Sequence, residues 1–403
     1  MNGQAGFGHG EYPPDPDFEL RWRGRMKKRT VVFLLLFALA FCFSVGAQSI
    51  KESGGSLPVQ KGSVKEIETY GHALLDITIK DFLAAGYELG DTVDVVFDNG
   101  YSLTDIPFFN GYYVLEGEPL LRAYPGDTNI AVCINYGNLS EVAGISAGAK
   151  VEISLNKKAA ALDTQTLNSL AYSNNREDYS SDEVFANFRE ITAGNIKPGK
   201  LYRSASPFNS IYNRAPYVNT LAEKAGIKGI LDLADTEEDI KAYFEQPDFK
   251  SFYAKSLFEN GAVAPLGMPV DYASEEFSKK LVSGIAEANY TEGPILINCT
   301  EGKDRTGFVS ALAEALMGAT YEEIVDDYMK SFENYYGLTK ESDPQKYAIV
   351  VKNNIDEMLR FIAGVDASAD IAKADLAAGA RKYLTSNGMT DAQVDLIVEY
   401  LGD

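Results

Sequence analysis

The chain has 403 residues, 58 of them acidic against 37 basic, for a formal net charge of −21. That length suffices for two domains with substantial cores. The acidic balance excludes nucleic acid and anionic membrane surfaces as bulk partners, and it disfavours long-range attraction of a polyanion, so local cations must draw in any phosphate.

In chain order, residues 1–25 are polar and contain Gly and Pro. Met26-Lys27-Lys28-Arg29, the apolar run Val31–Phe43 and then Val45-Gly46-Ala47 have the layout of an export signal: positive start, apolar centre, small-residue cleavage site. The apolar run is short for a membrane span, which favours a cleaved signal over an anchor. Phe41 before Cys42 argues against lipidation. The expectation is an exported protein, with residues 1–47 forming an extension plus a signal at about Met26–Ala47.

Gln48 to about Ser63 reads as a polar leader, and residues 64–157 as a small β domain, a barrel or a sandwich. Asp91–Phe97 and Val151–Leu155 alternate apolar and polar residues, Tyr112–Leu115 reads as a further strand, and Asp98-Asn99-Gly100 is a turn signal. Asp98, Asn99 and Asn110 read as turn residues rather than as binding groups. Residues 158–181, rich in Ala, Ser, Asn and Asp, are the expected linker. Residues 182–403 then alternate helices with strands: Tyr217–Ala225 leads into Gly229–Leu233, and Glu276–Ala288 into Pro294–Ile297. This is the pattern of an α/β sheet covered by helices. No solenoid or propeller repeat and no low-complexity tract is present.

The three cysteines are Cys42, Cys133 and Cys299, too few beyond the signal for a disulfide framework. Cys133 sits in the strand-like Ile130–Ile134 and reads as core. Beyond residue 47 the single histidine is His72, so no metal-ligand spacing occurs and no metal or cofactor is expected.

The chemistry concentrates in Asn298-Cys299-Thr300-Glu301-Gly302-Lys303-Asp304-Arg305-Thr306-Gly307. Cys299 and Arg305 enclose five residues between a strand and a helix predicted over Phe308–Met317. A tight turn there points N–H groups into one concavity at the positive end of the helix dipole, a setting that favours phosphate and thiolate alike.

This Cys-x-x-Gly-Lys-Asp-Arg-Thr-Gly segment resembles the signature loop of the bacterial tyrosine phosphatases related to dual-specificity and lipid phosphatases. Asn187-Phe188-Arg189-Glu190, Ile196–Ser204, Gly226–Leu233, Tyr383-Leu384 and Met389-Thr390 extend the resemblance over roughly Val184 to Asp403. It implies a cysteine-phosphatase-like sheet and attack on phosphorus by Cys299. Arg305 would grip two phosphoryl oxygens, and Thr300, Glu301, Gly302 and Lys303 would surround the substrate. Thr306 would assist thiolate departure. Arg203, which follows a strand-like segment, reads either as a residue behind those that touch the substrate or equally as a member of a simple ion pair. Lys303 would be a mobile cation able to meet extra phosphates, as in the related lipid phosphatases. Two aspartates compete as proton donor. Asp304 lies in the loop; Asp271, 28 residues before Cys299, has the placement of a mobile acid and equally of a helix N-cap. Glu301 reads as a solvated or loop-bracing carboxylate.

Two departures stand out: Asn298 replaces the family's His before the Cys, and Ala234 replaces the Arg after Asp-Leu. Asn cannot be cationic, so it supports a thiolate less than His does. The β region is more weakly similar, through Asp127–Ile130, Asn135–Leu139 and Ala147–Val151, to the C-terminal β domain of adenosyl-hydroxide transferases, here without their catalytic partner domain. It is read as a borrowed module with an unknown partner. The expected activity is a cysteine-dependent phosphomonoesterase acting on phosphorylated protein. Alternatives are a phosphoinositide or inositol phosphate phosphatase, a catalytically weak phosphate-binding module, and a rhodanese-like sulfur transferase.

Overall fold

Alternating strands bury one face, and seven of them can do so by closing on themselves. The structure is a computed structural model and describes residues 57–287 and 293–403. The expected signal at Met26–Ala47 lies outside the described residues. In the first unit β1 (Gln60–Ile67), β2 (Ala73–Thr78), β3 (Thr92–Phe97), β4 (Ser102–Phe109), β5 (Pro119–Arg122), β6 (Asn129–Ile134) and β7 (Lys150–Lys157) form a closed barrel in the order β1-β2-β6-β5-β4-β3-β7. Neighbouring strands are antiparallel except β4 and β5, which are parallel. Val93, Val95 and Phe97 of β3 and Val151 and Ile153 of β7 fill the interior. The barrel, not the sandwich, is therefore the architecture.

Three short helices accompany it: α1 (Ile79–Ala84), α2 (Leu139–Ala143) and α3 (Leu162–Asn168). Thr78 and Asn138 cap the first two with side-chain oxygens. Asp98-Asn99-Gly100 is a turn, with Asn99 Oδ1 accepting from the Tyr101 N–H at 3.0 Å. Tyr112–Leu115, expected as a strand, is irregular. Its polar groups are met by side chains instead of a ladder: Asn135 Nδ2 donates to the Val114 carbonyl, and Arg122 Nη1 to the Tyr112 hydroxyl. Cys133 is fully buried, and burial pushes its thiol up to about 12. His72 is also buried.

The second unit is a mixed five-stranded sheet with helices. Its strands are β8 (Arg189–Ile191), β9 (Leu201–Ser204), β10 (Gly229–Asp232), β11 (Val263–Pro265) and β12 (Ile295–Asn298), in the order β11-β10-β12-β9-β8. Only β8 runs antiparallel to its neighbour. Its helices are α4 (Asp182–Phe185), α5 (Ala215–Lys224), α6 (Glu237–Phe244), α7 (Phe252–Glu259), α8 (Glu275–Glu287), α9 (Asp304–Leu316), α10 (Tyr321–Tyr336), α12 (Ile355–Ala363), α13 (Leu376–Ser386) and α14 (Asp391–Gly402), while α11 (Pro344–Asn353), between α10 and α12 in the chain, groups with the barrel unit. Among the described residues no helix is long and apolar enough to cross a membrane.

Register explains where a site can form. Ser204, Asn298, Asp232 and Pro265 are paired across β9, β12, β10 and β11, so four parallel strands end on one row. Loops leaving that row converge, the usual place for ligands in open α/β sheets. The predicted helices and strands hold to within a few residues. The largest shift is α9, which begins at Asp304 and not at Phe308, so that Arg305 and Thr306 belong to its first turn.

Residues 158–181, expected as a linker, are ordered by α3 and a 3₁₀ turn, Arg176–Asp178. Buried Arg214 explains the ordering of its last part. Its guanidinium donates to the Ser173 carbonyl (3.1 Å), Asn174 Oδ1 (2.7 Å) and the Tyr179 hydroxyl (3.3 Å).

Candidate active site

All four residues of β12 are buried, and the strand delivers Cys299 at its carboxyl end as a buried free thiol. The chain must then turn into α9 within a few residues. Gly302 makes this possible with φ +67°, and a Cβ there would lie 2.1 Å from the Ser204 carbonyl oxygen. Gly307 allows α9 to approach α10, since a Cβ would lie 2.6 Å from the Tyr328 ring.

Three successive loop carbonyls are bound from outside. The Thr300 carbonyl accepts from the Ser206 N–H at 3.3 Å. That of Glu301 accepts from the Tyr335 hydroxyl at 2.6 Å. That of Gly302 accepts from Arg203 Nη2 and Asn187 Nδ2, each at 3.0 Å. In a trans peptide the N–H points opposite to its carbonyl. The N–H groups of Glu301, Gly302 and Lys303 are therefore turned away from those donors. No side-chain cap hydrogen bond is made at Lys303, the residue before α9, and a helix start of that kind favours an anion.

A charged layer beneath fixes those donors. Arg203 has no exposed surface and pairs with Asp327, which also receives Arg189 Nε at 2.7 Å. Arg189 Nη1 in turn holds Asn187 Oδ1 at 2.8 Å. Burial would raise the Asp327 carboxyl, but the Arg189 and Arg203 guanidiniums hold it well below the usual carboxylate range. Burial, then the charge of Asp327, raises the carboxyl of neighbouring Glu314. Arg203 thus sets the loop from below; it cannot be a substrate contact, because its guanidinium is engaged by Gly302 and Asp327.

Arg305 closes the loop. Its Nη1 donates to the Met268 carbonyl at 2.9 Å and its Nη2 to Thr300 Oγ1 at 3.3 Å. Met268 begins the segment that carries Asp271, so that segment lies against the arginine. Asp271 is exposed, and its Oδ1 accepts from the Ala273 N–H at 3.0 Å. It is not the helix cap; Ser274 is, accepting from the Phe277 N–H. Asp304 opens α9 with its side chain a quarter exposed, its carboxylate 4.0 Å from Lys303 Nζ. Thr306 Oγ1 is buried without a hydrogen-bond partner among the described residues.

Lys303 is not mobile. Its Nζ lies 2.9 Å from Glu301 Oε2 and donates to the Tyr336 hydroxyl at 2.8 Å, in a side chain only 5% exposed. Glu301 is buried too and braces the loop.

Asn298, in the place of the family's His, donates from Nδ2 to Asp232 Oδ2 at 3.0 Å and so ties β12 to β10. Burial raises the Asp232 carboxyl. Asp235 is pushed up to about 8 by burial and then by Asp232, while the Arg305 guanidinium acts against both effects. Nothing in the sequence marks Asp235, Tyr172, Asp327, Tyr335 or Tyr336 as part of the site. No short motif carries them. Among the described residues no cluster of three or more His, Cys, Asp or Glu could hold a metal.

One similar solved structure is an uncharacterized conserved protein from Thermotoga maritima. It is 18% identical at a TM-score of 0.21, over 27% of this chain and 42% of that one, so the match spans less than half of that protein. The family described as "Tyrosine phosphatase family" matches residues 183–402. That stretch is more than half of the chain and contains the whole loop with the strands and helices that shape it; the chain belongs to the tyrosine phosphatase family.

Proposed function

We propose that this chain dephosphorylates phosphotyrosine in proteins through a phosphocysteine formed on Cys299, on a cysteine-phosphatase-like sheet. One observation carries the mechanism: the Thr300, Glu301 and Gly302 carbonyls are all bound from outside, which turns the N–H groups of Glu301, Gly302 and Lys303 away from those donors. In this reading they face the space between Cys299 and Arg305. Donors fixed in advance at the place where charge develops are the largest source of transition-state stabilisation in such sites.

In the first step the Cys299 thiolate forms an S–P bond as the ester P–O bond breaks. The Arg305 fork and the loop N–H groups hold the equatorial oxygens. The leaving phenolate takes a proton from Asp304, which the start of α9 places at the edge of the loop. In the second step Asp304 accepts a proton from water as the water attacks phosphorus. The S–P bond breaks, phosphate leaves, and the Thr306 hydroxyl, buried without another partner, donates to the departing thiolate. Asp271, exposed on the segment that meets Arg305, is the alternative donor.

The test is Cys299→Ser together with acid quench of the wild type on p-nitrophenyl phosphate. The expected results are a loss of at least about a thousandfold in turnover, as for removal of a nucleophile, and a phosphoryl adduct on the Cys299 peptide by mass spectrometry. Turnover of Cys299→Ser within about tenfold of wild type sinks the reading.

A further inference from the structure

The loop carries two cations, and the fold treats them differently. Arg305 donates to a backbone carbonyl and a hydroxyl, and its charge acts on the Asp235 carboxyl. Lys303 is confronted by a carboxylate: Glu301 Oε2 at 2.9 Å. The Tyr336 ring lies 5.3 Å from its ammonium, and the Phe332 and Tyr335 rings 5.9 Å. The other Glu301 oxygen accepts from the Tyr172 hydroxyl. Tyr172 is itself fixed, its ring 4.8 Å from that of Tyr335 and 5.7 Å from that of Tyr336, with the Arg214 guanidinium 5.0 Å from its centroid. Burial, then the charge of Glu301, raises the Tyr172 phenol far above its ordinary value, so it remains a donor. Tyr172 precedes the stretch matched to the family, which starts at residue 183.

We propose that Glu301, held in place by Tyr172, keeps Lys303 as an internal counter-ion and thereby restricts the site to substrates carrying a single phosphate. The inference rests on the phosphocysteine reading above and names its substrate class. A free lysine beside the loop would offer a second phosphate a cation. Here the pair sums to zero charge, and the ammonium is enclosed by Glu301, the Tyr336 hydroxyl and three rings. For Lys303 to reach a second phosphate it must leave that cage. The Glu301 carboxylate would then stay buried without its cation, a costly arrangement. The same carboxylate would repel the incoming phosphate, and the formal net charge of −21 adds to the repulsion of a polyanion. A substrate with one phosphate on an aromatic leaving group needs only Arg305 and the loop N–H groups.

The experiment uses the full chain and three substrates: p-nitrophenyl phosphate, a phosphotyrosine peptide and a soluble inositol tetrakisphosphate. Wild type is expected to favour the first two. Glu301→Gln should keep the shape of the side chain, remove its charge and lower KM for the inositol tetrakisphosphate about tenfold or more, the worth of one freed charge-assisted contact. The aryl phosphate, assayed on the same variant, is the internal reference, and the ratio of the two kcat/KM values is the readout. Adding Lys303→Met to Glu301→Gln should abolish the gain. Tyr172→Phe keeps the ring packing and should shift selectivity in the same direction by a smaller factor, about two- to fivefold.

An unchanged kcat/KM ratio in Glu301→Gln overturns the proposal. So does selective loss of inositol tetrakisphosphate turnover in Lys303→Met alone, since it would show that the lysine already reaches the substrate. Should Glu301→Gln fail to fold, Tyr172→Phe and Lys303→Met decide by the same ratio. Absence of Cys299-dependent turnover on all three substrates brings down the phosphocysteine reading and this inference with it. Cys299-dependent turnover with an unmoved ratio overturns this inference alone.

Discussion

The barrel and the sheet unit bury different things. The barrel's core is one apolar cluster that includes Leu75, Val93, Val95, Phe97 and Phe108, and its buried charges pair locally, Arg122 with Glu68 and Asp91 with Lys158. In the sheet unit the carboxyl ends of the strands bury Arg203, Asp232, Asp235, Asn298, Glu301 and Lys303 close to one cysteine. Apolar burial stabilises a fold without further conditions, whereas a buried charge is tolerated only with partners in good geometry. The sheet unit has arranged those partners, and each arrangement ends on the Cys299–Arg305 loop. The difference is that the sheet unit adds to its apolar core a set of paired charges around the Cys299–Arg305 loop.

The largest expected effect tests the chemistry of that cradle. Asp304→Asn should cost about a hundred- to ten-thousandfold on an alkyl phosphate and far less on p-nitrophenyl phosphate, whose leaving group needs little protonation. Equal losses on both substrates would make Asp304 a structural residue. If the selective loss appears in Asp271→Asn instead, the exposed segment at Arg305 supplies the proton.

Next comes the layer under the loop. Arg203→Met leaves Asp327 buried with one guanidinium and removes a donor from the Gly302 carbonyl. Stability should fall by about 3–5 kcal/mol, as when one partner of a buried pair is removed, and turnover of p-nitrophenyl phosphate should fall in the protein that remains folded. Its counterpart in the barrel is Leu75→Ala, a fully buried position. That change should cost about 2–5 kcal/mol through lost transfer energy and a cavity, with kcat unaltered. Denaturation curves and kcat on both variants decide; a barrel variant that loses kcat at full occupancy of the folded state would break the distinction.

The smallest effect is a pH dependence at Asp235. Its folded-state value is pushed up to about 8, against about 3.9 in the unfolded chain. Below pH 4 both states are protonated. Between there and pH 8 the unfolded chain binds fewer protons, so stability declines as pH rises and then levels off. Asp235→Asn removes this contribution. Its stability relative to wild type should rise from pH 4 to pH 8, by on the order of 1–3 kcal/mol after the opposing effects of Tyr243 and Arg305 are allowed for. Urea midpoints at pH 5 and pH 8 measure it, and equal differences at the two values would mean that the carboxyl is already ionised.

Much of the site was legible because it is contiguous. Asn298 to Gly307 carries strand end, turn glycine, cysteine, arginine and hydroxyl within ten residues, and local steric and dipole rules connect them without knowledge of the rest of the fold. The alternation of Asp91–Phe97 and the helical spacing of Tyr217–Ala225 were legible for the same reason. The start of α9 was not. Thr306-Gly307 has weak helix propensity, and the close approach of Gly307 to the Tyr328 ring of α10 accompanies that turn. Nor was the closure of the barrel, which depends on β1 meeting β7 across the whole unit.

What the sequence by itself determined is the family, the α/β class of residues 183–402, and the cysteine, glycine and arginine of the loop. Tertiary structure decided what the other polar residues are for. Arg203 and Asp327 are 124 residues apart, and Tyr172 and Glu301 are 129 apart. No local pattern links such pairs, since charged and aromatic side chains are compatible with many surfaces. Only the folded chain shows that Arg203 lies beneath the loop and that Lys303 is neutralised within it, because burial turns a mobile surface charge into one that must find its partner in the protein.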